Sequence, residues 1–246
     1  MDILSLVGVV LAFAAVLFGQ YLDGGKVTML FNGPALLIVL GGTLGATMLQ
    51  SSLATFARAL QMTVWMLRPP RIPLERVLED LIEWCRVARR DGLLGLEIVV
   101  ESVADPYARK ALQMLIDGND PEVIRETLQL DSYHREQRDL QAAKVFESMG
   151  GYSPTLGILG AVIGLIEVMQ HLSDPAMLGR GIAVAFVATV YGVGFANLFF
   201  LPVGAKLKSL VRVQTRYEDM ITIGVAAIAD GENARIIEAR LQGLLA

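Results

Sequence analysis

The chain has 246 residues, of which 54% are hydrophobic and 19% charged, with a mean hydropathy of +0.51 and a formal net charge of −4. This composition excludes a disordered chain and a collagen-like repeat, and the acidic balance gives no support to nucleic acid as a partner. Charges are absent from residues 3–22, 27–57, 148–166 and 181–205. Each run is near the ~20 residues that a bilayer-crossing helix requires, so the sequence predicts an all-α integral membrane protein with four transmembrane helices.

The first two spans are predicted at about residues 3–20 and 33–50, as a hairpin within residues 1–57. A cleavable signal peptide is the alternative for the first run. However, the run opens with the acidic Asp2 instead of a basic residue, and no A-x-A cleavage pattern follows the apolar run around Tyr21. We therefore expect a retained span.

A charged region follows at residues 58–147, with 13 of the 21 basic and 16 of the 25 acidic residues. Apolar residues at three- and four-residue spacing predict an amphipathic helix over residues 72–87, which ends near Asp91-Gly92. Asp105-Pro106 and Asp120-Pro121 mark two further helix starts, since each pairs a capping side chain with a proline at the first helical position. We expect a helical cytoplasmic domain, in which the lone Cys85 is a buried apolar thiol.

The third and fourth spans are predicted at about residues 153–172 and 181–203, within residues 148–205, and a helical cytoplasmic tail follows at 206–246. The helix of residues 131–147 is expected to continue into the third span. The two short connections carry only Lys26 and Arg180, whereas the middle region and the tail carry every other basic residue. Because basic residues near helix ends resist transfer across the bilayer, both termini should be cytoplasmic.

A stripe of small residues lies on one face of the third span: Gly157, Gly160, Ala161 and Gly164. Small residues let helix backbones approach closely in lipid. The stripe therefore indicates tight packing, either against another helix of this chain or against a partner helix. The spacing does not choose between these two interpretations.

The predicted spans contain one acid, Glu167, which lies about 20 Å from Pro154 at 1.5 Å per residue and hence near the external interface. Two roles are open for Glu167: a hydrated carboxylate at the membrane interface, or an acid at the point where an ion enters. No Walker, H-E-x-x-H, C-x-x-C or G-x-S-x-G pattern occurs, and His134 and His171 are expected at the surface. We expect a protein that is not an enzyme, has no cofactor or metal, and obtains any midplane proton carrier from another chain.

Three stretches carry a family resemblance. Residues 32–46 read NGPALLIVLGGTLGA, residues 154–160 read PTLGILG, and residues 183–202 read AVAFVATVYGVGFANLFFLP. Together with the charged insert, they resemble the MotA/PomA family of flagellar stator subunits. The resemblance implies an inner-membrane A subunit, in a pentamer around a MotB-type partner that is anchored in peptidoglycan. The partner helix would carry the carboxylate that binds the coupling ion.

The resemblance also implies roles for individual residues. Pro154 and Pro202 match the family's mechanically important prolines, although a helix-start and a helix-end proline would occupy the same places. The glycine stripe would face the partner helix, with Thr189 on the ion pathway. Members that resemble the sodium-driven type carry Thr where this chain has Ala161, so H⁺ is expected as the coupling ion rather than Na⁺.

The segment from Arg89 to Glu97 resembles the family's contact with the rotor protein FliG, with Arg90 as an alternative register for the basic position. Two rival functions remain. An energy-coupling subunit of the ExbB/TolQ kind would resemble a three-span plan, whereas four uncharged runs occur here. A stand-alone small-solute transporter or channel would need a polar pathway of its own, for which Glu167, Thr43 and Thr47 are the candidates.

Overall fold

The protein is all-α in a computed structural model that describes residues 3–24, 27–70, 72–170 and 175–244; no strand occurs within these ranges. The predicted fold class is confirmed. Twelve α-helical segments are described: α1 (Ile3–Leu22), α2 (Gly33–Leu36), α3 (Gly42–Gln50), α4 (Leu53–Met62), α5 (Val64–Leu67), α6 (Leu74–Asp91), α7 (Glu97–Ser102), α8 (Pro106–Ile116), α9 (Pro121–Gln170), α10 (Pro175–Phe195), α11 (Leu201–Ala229) and α12 (Ala234–Gln242).

Two short π-helical turns join neighbouring segments. Leu37–Gly41 connects α2 to α3, and Ala196–Phe200 connects α10 to α11, so each pair runs on as one continuous helix. Two 3₁₀ turns, Val27–Leu30 and Leu93–Leu96, precede α2 and α7. In the part of the chain that is described, three helices are long and apolar enough to cross a membrane: Gly33–Gln50, Pro121–Gln170 and Gly181–Ala229.

The first predicted span corresponds to α1, whose apolar portion Val7–Leu22 is shorter than the other three. Four spans thus remain a prediction. Lys26, His171 and the outer end of the predicted span 153–172 lie outside the described residues.

Helix ends follow the predicted local chemistry. The Asp105 carboxylate accepts hydrogen bonds from the backbone N–H groups of Tyr107 (3.0 Å) and Ala108 (2.9 Å), and α8 begins at Pro106. The helix after Asp120 begins at Pro121 and continues to Gln170, as expected for residues 131–147. α6 ends at Asp91 because Gly92 has φ +74°, a conformation that a side chain disfavours.

The chain divides into two compact units, one of residues 1–69 and 139–209 and the other of residues 70–138 and 210–246. Most of the predicted insert and of the predicted tail lies in one unit, and both predicted membrane hairpins lie in the other. α4 and α5 belong to the unit of the apolar helices, while α11 supplies apolar residues to the core of the other unit.

That core is formed by α6, α8, the first turns of α9, α11 and α12. The amphipathic pattern predicted for residues 72–87 is borne out, since Val77, Leu78, Leu81 and Cys85 are buried. Cys85 is fully buried and its thiol donates a weak hydrogen bond to the Glu232 carbonyl at 3.5 Å. Burial raises the pKa of this thiol, so the expected inert role fits.

Candidate functional site

The backbones of α9 and α10 touch through glycines. A Cβ placed on Gly157 would lie 2.9 Å from the Ala188 carbonyl oxygen and 3.0 Å from the Gly192 Cα. One on Gly164 would lie 3.1 Å from both the Ala185 nitrogen and the Gly181 carbonyl oxygen. Such approaches leave no room for a side chain, so these two helices are packed against each other along the whole stripe.

The glycine stripe therefore contacts a helix of the same chain, and the expectation that Gly157, Gly160 and Gly164 face a partner helix is corrected. All three are buried against α10, and Gly160 also approaches Ile38 of the first π turn. Ala161, the fourth residue of the stripe, is half-buried. The opposite side of α9 carries large apolar side chains that are 44–66% exposed: Ile158, Leu159, Val162, Ile163, Leu165, Ile166 and Met169. That side is where another chain could bind.

Pro154 lies inside α9, which runs unbroken from Pro121 to Gln170. The alternative of a helix-start proline is therefore wrong. Proline lacks the N–H that would bond to the carbonyl four residues earlier, so the ladder is interrupted at this point. Next to it, the buried Ser153 hydroxyl donates to the Gly192 carbonyl at 2.9 Å and ties α9 to α10.

Pro202 also lies within a helix, because α11 continues to Ala229, and the alternative of a helix-end proline is wrong. It is exposed and comes directly after the π turn Ala196–Phe200, where the Leu201 N–H reaches back to the Ala196 carbonyl. A π turn leaves the regular bonding pattern and often marks functional positions. The regular helical hydrogen-bond pattern is thus interrupted directly before this proline.

Polar side chains between the apolar helices bond mainly to their own helix. The half-buried Thr189 hydroxyl donates to the Ala185 carbonyl at 3.2 Å. Thr189 borders an apolar cavity of about 740 Å³ whose wall also includes Phe13 of α1, Tyr191 and Phe195. The hydroxyl oxygen keeps its lone pairs, but it lies beside aromatic and aliphatic groups.

Thr43 and Thr47 are fully buried on α3. The Thr47 hydroxyl donates to the Thr43 carbonyl at 2.7 Å, and the Thr43 hydroxyl has no hydrogen-bond partner among the described residues. Gln50, on the same face, accepts a hydrogen bond from the Tyr152 hydroxyl at 2.9 Å. The hydrogen bond of Gln50 connects this face to Tyr152 of α9, and the three side chains carry no charge.

Acidic and basic side chains lie outside residues 148–166 and 181–205 of the apolar helices. Glu167 is exposed near the end of α9, and residues 148–166 carry no charge. His134 is exposed, as expected. Within the described ranges, no group of three or more metal-binding side chains occurs. The uncharged parts of α9 and α10 therefore contain no acidic or basic side chain that could carry a proton across the middle of the membrane.

The segment predicted to face a rotor lies at the corner between α6 and α7. Arg89 and Arg90 end α6, and Glu97 begins α7; all three are exposed. The Arg90 guanidinium pairs with the Asp91 carboxylate at 2.8 Å, whereas no described residue forms an ion pair with Arg89 or Glu97. Arg89 is therefore more available than Arg90 for an ion pair with another protein.

Two ion pairs near the predicted cytoplasmic ends were not anticipated. Arg58 of α4 binds the Asp139 carboxylate through two hydrogen bonds of 2.9 and 2.7 Å, and its guanidinium lies over the Trp65 ring. The hydrogen bond with Asp139 raises the pKa of Arg58. Lys208 of α11 binds Glu147 of α9 at 2.5 Å. These partners are 81 and 61 residues apart, so no local spacing could reveal them.

A buried acid in the other unit also escaped sequence reasoning. Glu218 is 2% exposed on α11, with the Arg135 guanidinium at 3.6 Å. Burial raises the pKa of Glu218 above its usual range. Its neighbour Thr222 shares a hydrogen bond of 2.7 Å with Tyr107. The Glu218 carboxyl of α11 therefore faces Arg135 of α9 in this unit.

Known proteins resemble this chain along almost its whole length. Residues 99–220 match the profile described as the MotA/TolQ/ExbB proton channel family, and residues 6–91 match that of the Motility protein A N-terminal region. Motility protein A of Bacillus subtilis (strain 168) is 33% identical over 242 residues, which cover 98% of this chain and 90% of that protein. The chain belongs to the MotA/TolQ/ExbB proton channel family. Within this family, Chemotaxis protein PomA of Vibrio alginolyticus is 29% identical and covers 100% of the chain and 96% of the relative.

Solved structures of MotA-type complexes share the fold. The chain matches a structure of C. jejuni MotAB with a TM-score of 0.95 and 31% identity, over 100% of this chain and 96% of that one. It matches the flagellar MotAB stator complex from Bacillus subtilis with a TM-score of 0.90 and 32% identity, over 98% and 96% of the two chains. The resemblance inferred from the motifs is confirmed.

Proposed function

We propose that this protein is the A-type stator subunit of a flagellar motor and forms, with a MotB-type partner, a channel that couples proton flow to torque on the rotor. The full-length similarity to Motility protein A and to MotAB structures supports the motor role. The match of residues 6–91 to the Motility protein A N-terminal profile favours this branch over the ExbB/TolQ alternative.

The observation that carries the proposal is the apolar interior of the α9–α10 pair. These helices are uncharged from residue 148 to 166 and from residue 181 to 205, and their glycines bring the backbones into contact. A proton needs a titratable group near the midplane to cross the membrane. The carboxylate must then come from the partner, whose helix has the exposed apolar side of α9 available.

The coupling ion in this proposal is H⁺. Ala161 offers no oxygen ligand, which leaves the Thr189 hydroxyl oxygen, whose proton bonds to the Ala185 carbonyl, as the single ligand of this pair of residues. Sodium binds through several oxygen atoms at once, as hard cations do, whereas a proton needs only the carboxylate of the partner. A polar shell for a metal cation is therefore not required of this chain, and no cofactor takes part.

In the proposed assembly, five copies surround the MotB-type helices in the inner membrane, with both termini cytoplasmic and four spans in the lipid. The exposed apolar faces of α9 and of α1 suit contacts with lipid, with other copies and with the partner. Pro154 and the Pro202 π turn supply the points where inner helices bend when the partner carboxylate gains or loses its proton. The peptidoglycan anchor of the partner provides the fixed frame.

Torque is proposed to be transmitted to the rotor through Arg89 and Glu97, which contact charged groups of FliG. Exposed ion pairs contribute about 0–1 kcal/mol each, so such contacts form and break readily as the rotor moves. Charge reversal at either residue should impair swimming without reducing membrane insertion. Normal swimming by both reversed variants would contradict this contact.

The function is tested in a motile strain that lacks its own A subunit. The chain is expressed alone, with a MotB-type partner, and with the same partner lacking its membrane aspartate. Swimming and proton uptake are expected only in the second case. Proton uptake by the chain alone would favour a stand-alone channel, and Glu167, Thr43 and Thr47 would then be the residues to replace. Restored outer-membrane energy coupling without motility would favour an ExbB/TolQ-like role.

A further inference from the structure

The α6–α7 corner, comprising residues 89–98, combines opposite charges with exposed apolar side chains. Leu94 is 69% exposed and Ile98 is 80% exposed. They stand four residues apart, across the 3₁₀ turn Leu93–Leu96 and the first turn of α7. Residues spaced in this way in a helical segment are neighbours on its surface, so the two side chains form one apolar patch.

The fold does not account for this patch. The same segment already supplies Leu96, which is fully buried, together with Leu93, Val99 and Val100, which pack against the core. Leu94 and Ile98 are therefore not needed to hold the corner in place. Their exposure leaves two large apolar groups in water, which is unfavourable unless a partner covers them.

The charges beside the patch have a local explanation that the apolar groups lack. Arg89 and Arg90 lie in the last turn of α6 and Glu97 in the first turn of α7, where each sign complements the helix dipole. The result is nevertheless an apolar centre flanked by a positive and a negative group. That arrangement is typical of the core and rim of a protein interface.

We propose that Leu94 and Ile98 form the apolar centre of the rotor contact. This inference rests on the proposed stator function. The occupant is a surface of the rotor protein with an apolar ridge between an acidic group, which faces Arg89, and a basic group, which faces Glu97. The charges guide and align the encounter, while burial of the apolar centre slows dissociation.

The mechanism differs from a purely ionic contact in its response to salt. Exposed ion pairs weaken as ionic strength rises, because the screening length falls from about 10 Å at 0.1 M to about 3 Å at 1 M. An apolar centre is not screened. Engagement between stator and rotor should therefore persist at ionic strengths that suppress the charge contribution.

The test uses the complete chain with its MotB-type partner in motile cells that lack their own A subunit. The double variant Leu94→Ser/Ile98→Ser is compared with Val123→Ser/Leu130→Ser, which removes apolar side chains of 45% and 57% exposure elsewhere in the same unit. Dwell time of fluorescent stators at the motor is the main measurement. We expect the dwell time of the first variant to be about tenfold shorter, because buried apolar area is lost, and the dwell time of the control to be unchanged.

Two further measurements separate the explanations. Proton uptake and the size of the purified complex should be unchanged in Leu94→Ser/Ile98→Ser, and the conservative variant Leu94→Met/Ile98→Val should retain a normal dwell time. A normal dwell time and torque in the serine variant would overturn the inference, and so would a smaller complex, which would place the patch between subunits. If the unmodified chain fails to restore swimming, the proposed function fails instead.

Discussion

Replacement of Gly192 by alanine should force α9 and α10 apart. The new Cβ would lie 2.7 Å from the Ser153 carbonyl oxygen and 2.9 Å from the Gly157 Cα. Both are backbone atoms, which cannot rotate away as the end of a side chain would. Overpacking of this kind costs about 1–3 kcal/mol, and better helix propensity returns about 1 kcal/mol, so we expect a net loss of up to about 2 kcal/mol.

For a chain of this length a loss of 2 kcal/mol lowers the midpoint of thermal unfolding by roughly 4–8 °C. The midpoint is measured as the temperature at which the fluorescently tagged complex in detergent loses its monodisperse peak in size-exclusion chromatography. Gly45→Ala is the matched control, because nothing lies within 4 Å of a Cβ at Gly45 on α3. It should leave the midpoint unchanged or raise it. Equal midpoints for the two variants would refute the close backbone contact.

Three other perturbations address the ion pairs and the buried acid. Glu147→Gln and Lys208→Gln should each cost about 1 kcal/mol of stability and the double variant no more than either, because the pair is about one-third exposed; strict additivity would contradict the contact. Asp139→Asn should cost about 2 kcal/mol by leaving the Arg58 cation half-buried without its partner, and a thermal midpoint equal to that of the original chain would exclude this. Because burial raises the pKa of Glu218 above its ordinary value of 4.5, its contribution to stability is fully present below pH 4.5 and is lost as pH rises through the folded pKa. Glu218→Gln should accordingly unfold at a higher temperature than the original chain at pH 8 and at the same temperature at pH 4, and a difference independent of pH would argue against the titration.

Much of the fold follows from local signals in the sequence. Uncharged runs located the apolar helices, and the three- and four-residue apolar spacing located α6. The pairing of Asp105 with Pro106 fixed the start of α8, because the capping chemistry involves only neighbouring residues. Local signals do not indicate which distant helices share a core, such as α6, α8 and α11.

Several features of the candidate site depend on tertiary contacts and could not be predicted from the sequence. The stripe of Gly157, Gly160 and Gly164 indicated close packing correctly, but its partner is α10, which composition alone could not choose. Pro154 and Pro202 looked equally suited to helix ends, and both lie inside helices because the chain on either side remains helical. Glu218 is one of several acids in a polar helix, and only the tertiary fold determines that it is buried.

The backbone contact between α9 and α10 has a mechanical consequence. Interlocked at Gly157 and Gly192 and bonded through Ser153, the two helices cannot slide along each other without breaking close packing at every glycine. A displacement of one helix, such as one caused by ion binding, is therefore transmitted to the other, and the pair moves as one rigid unit. Any bending of the pair is then concentrated beside the π turn that precedes Pro202.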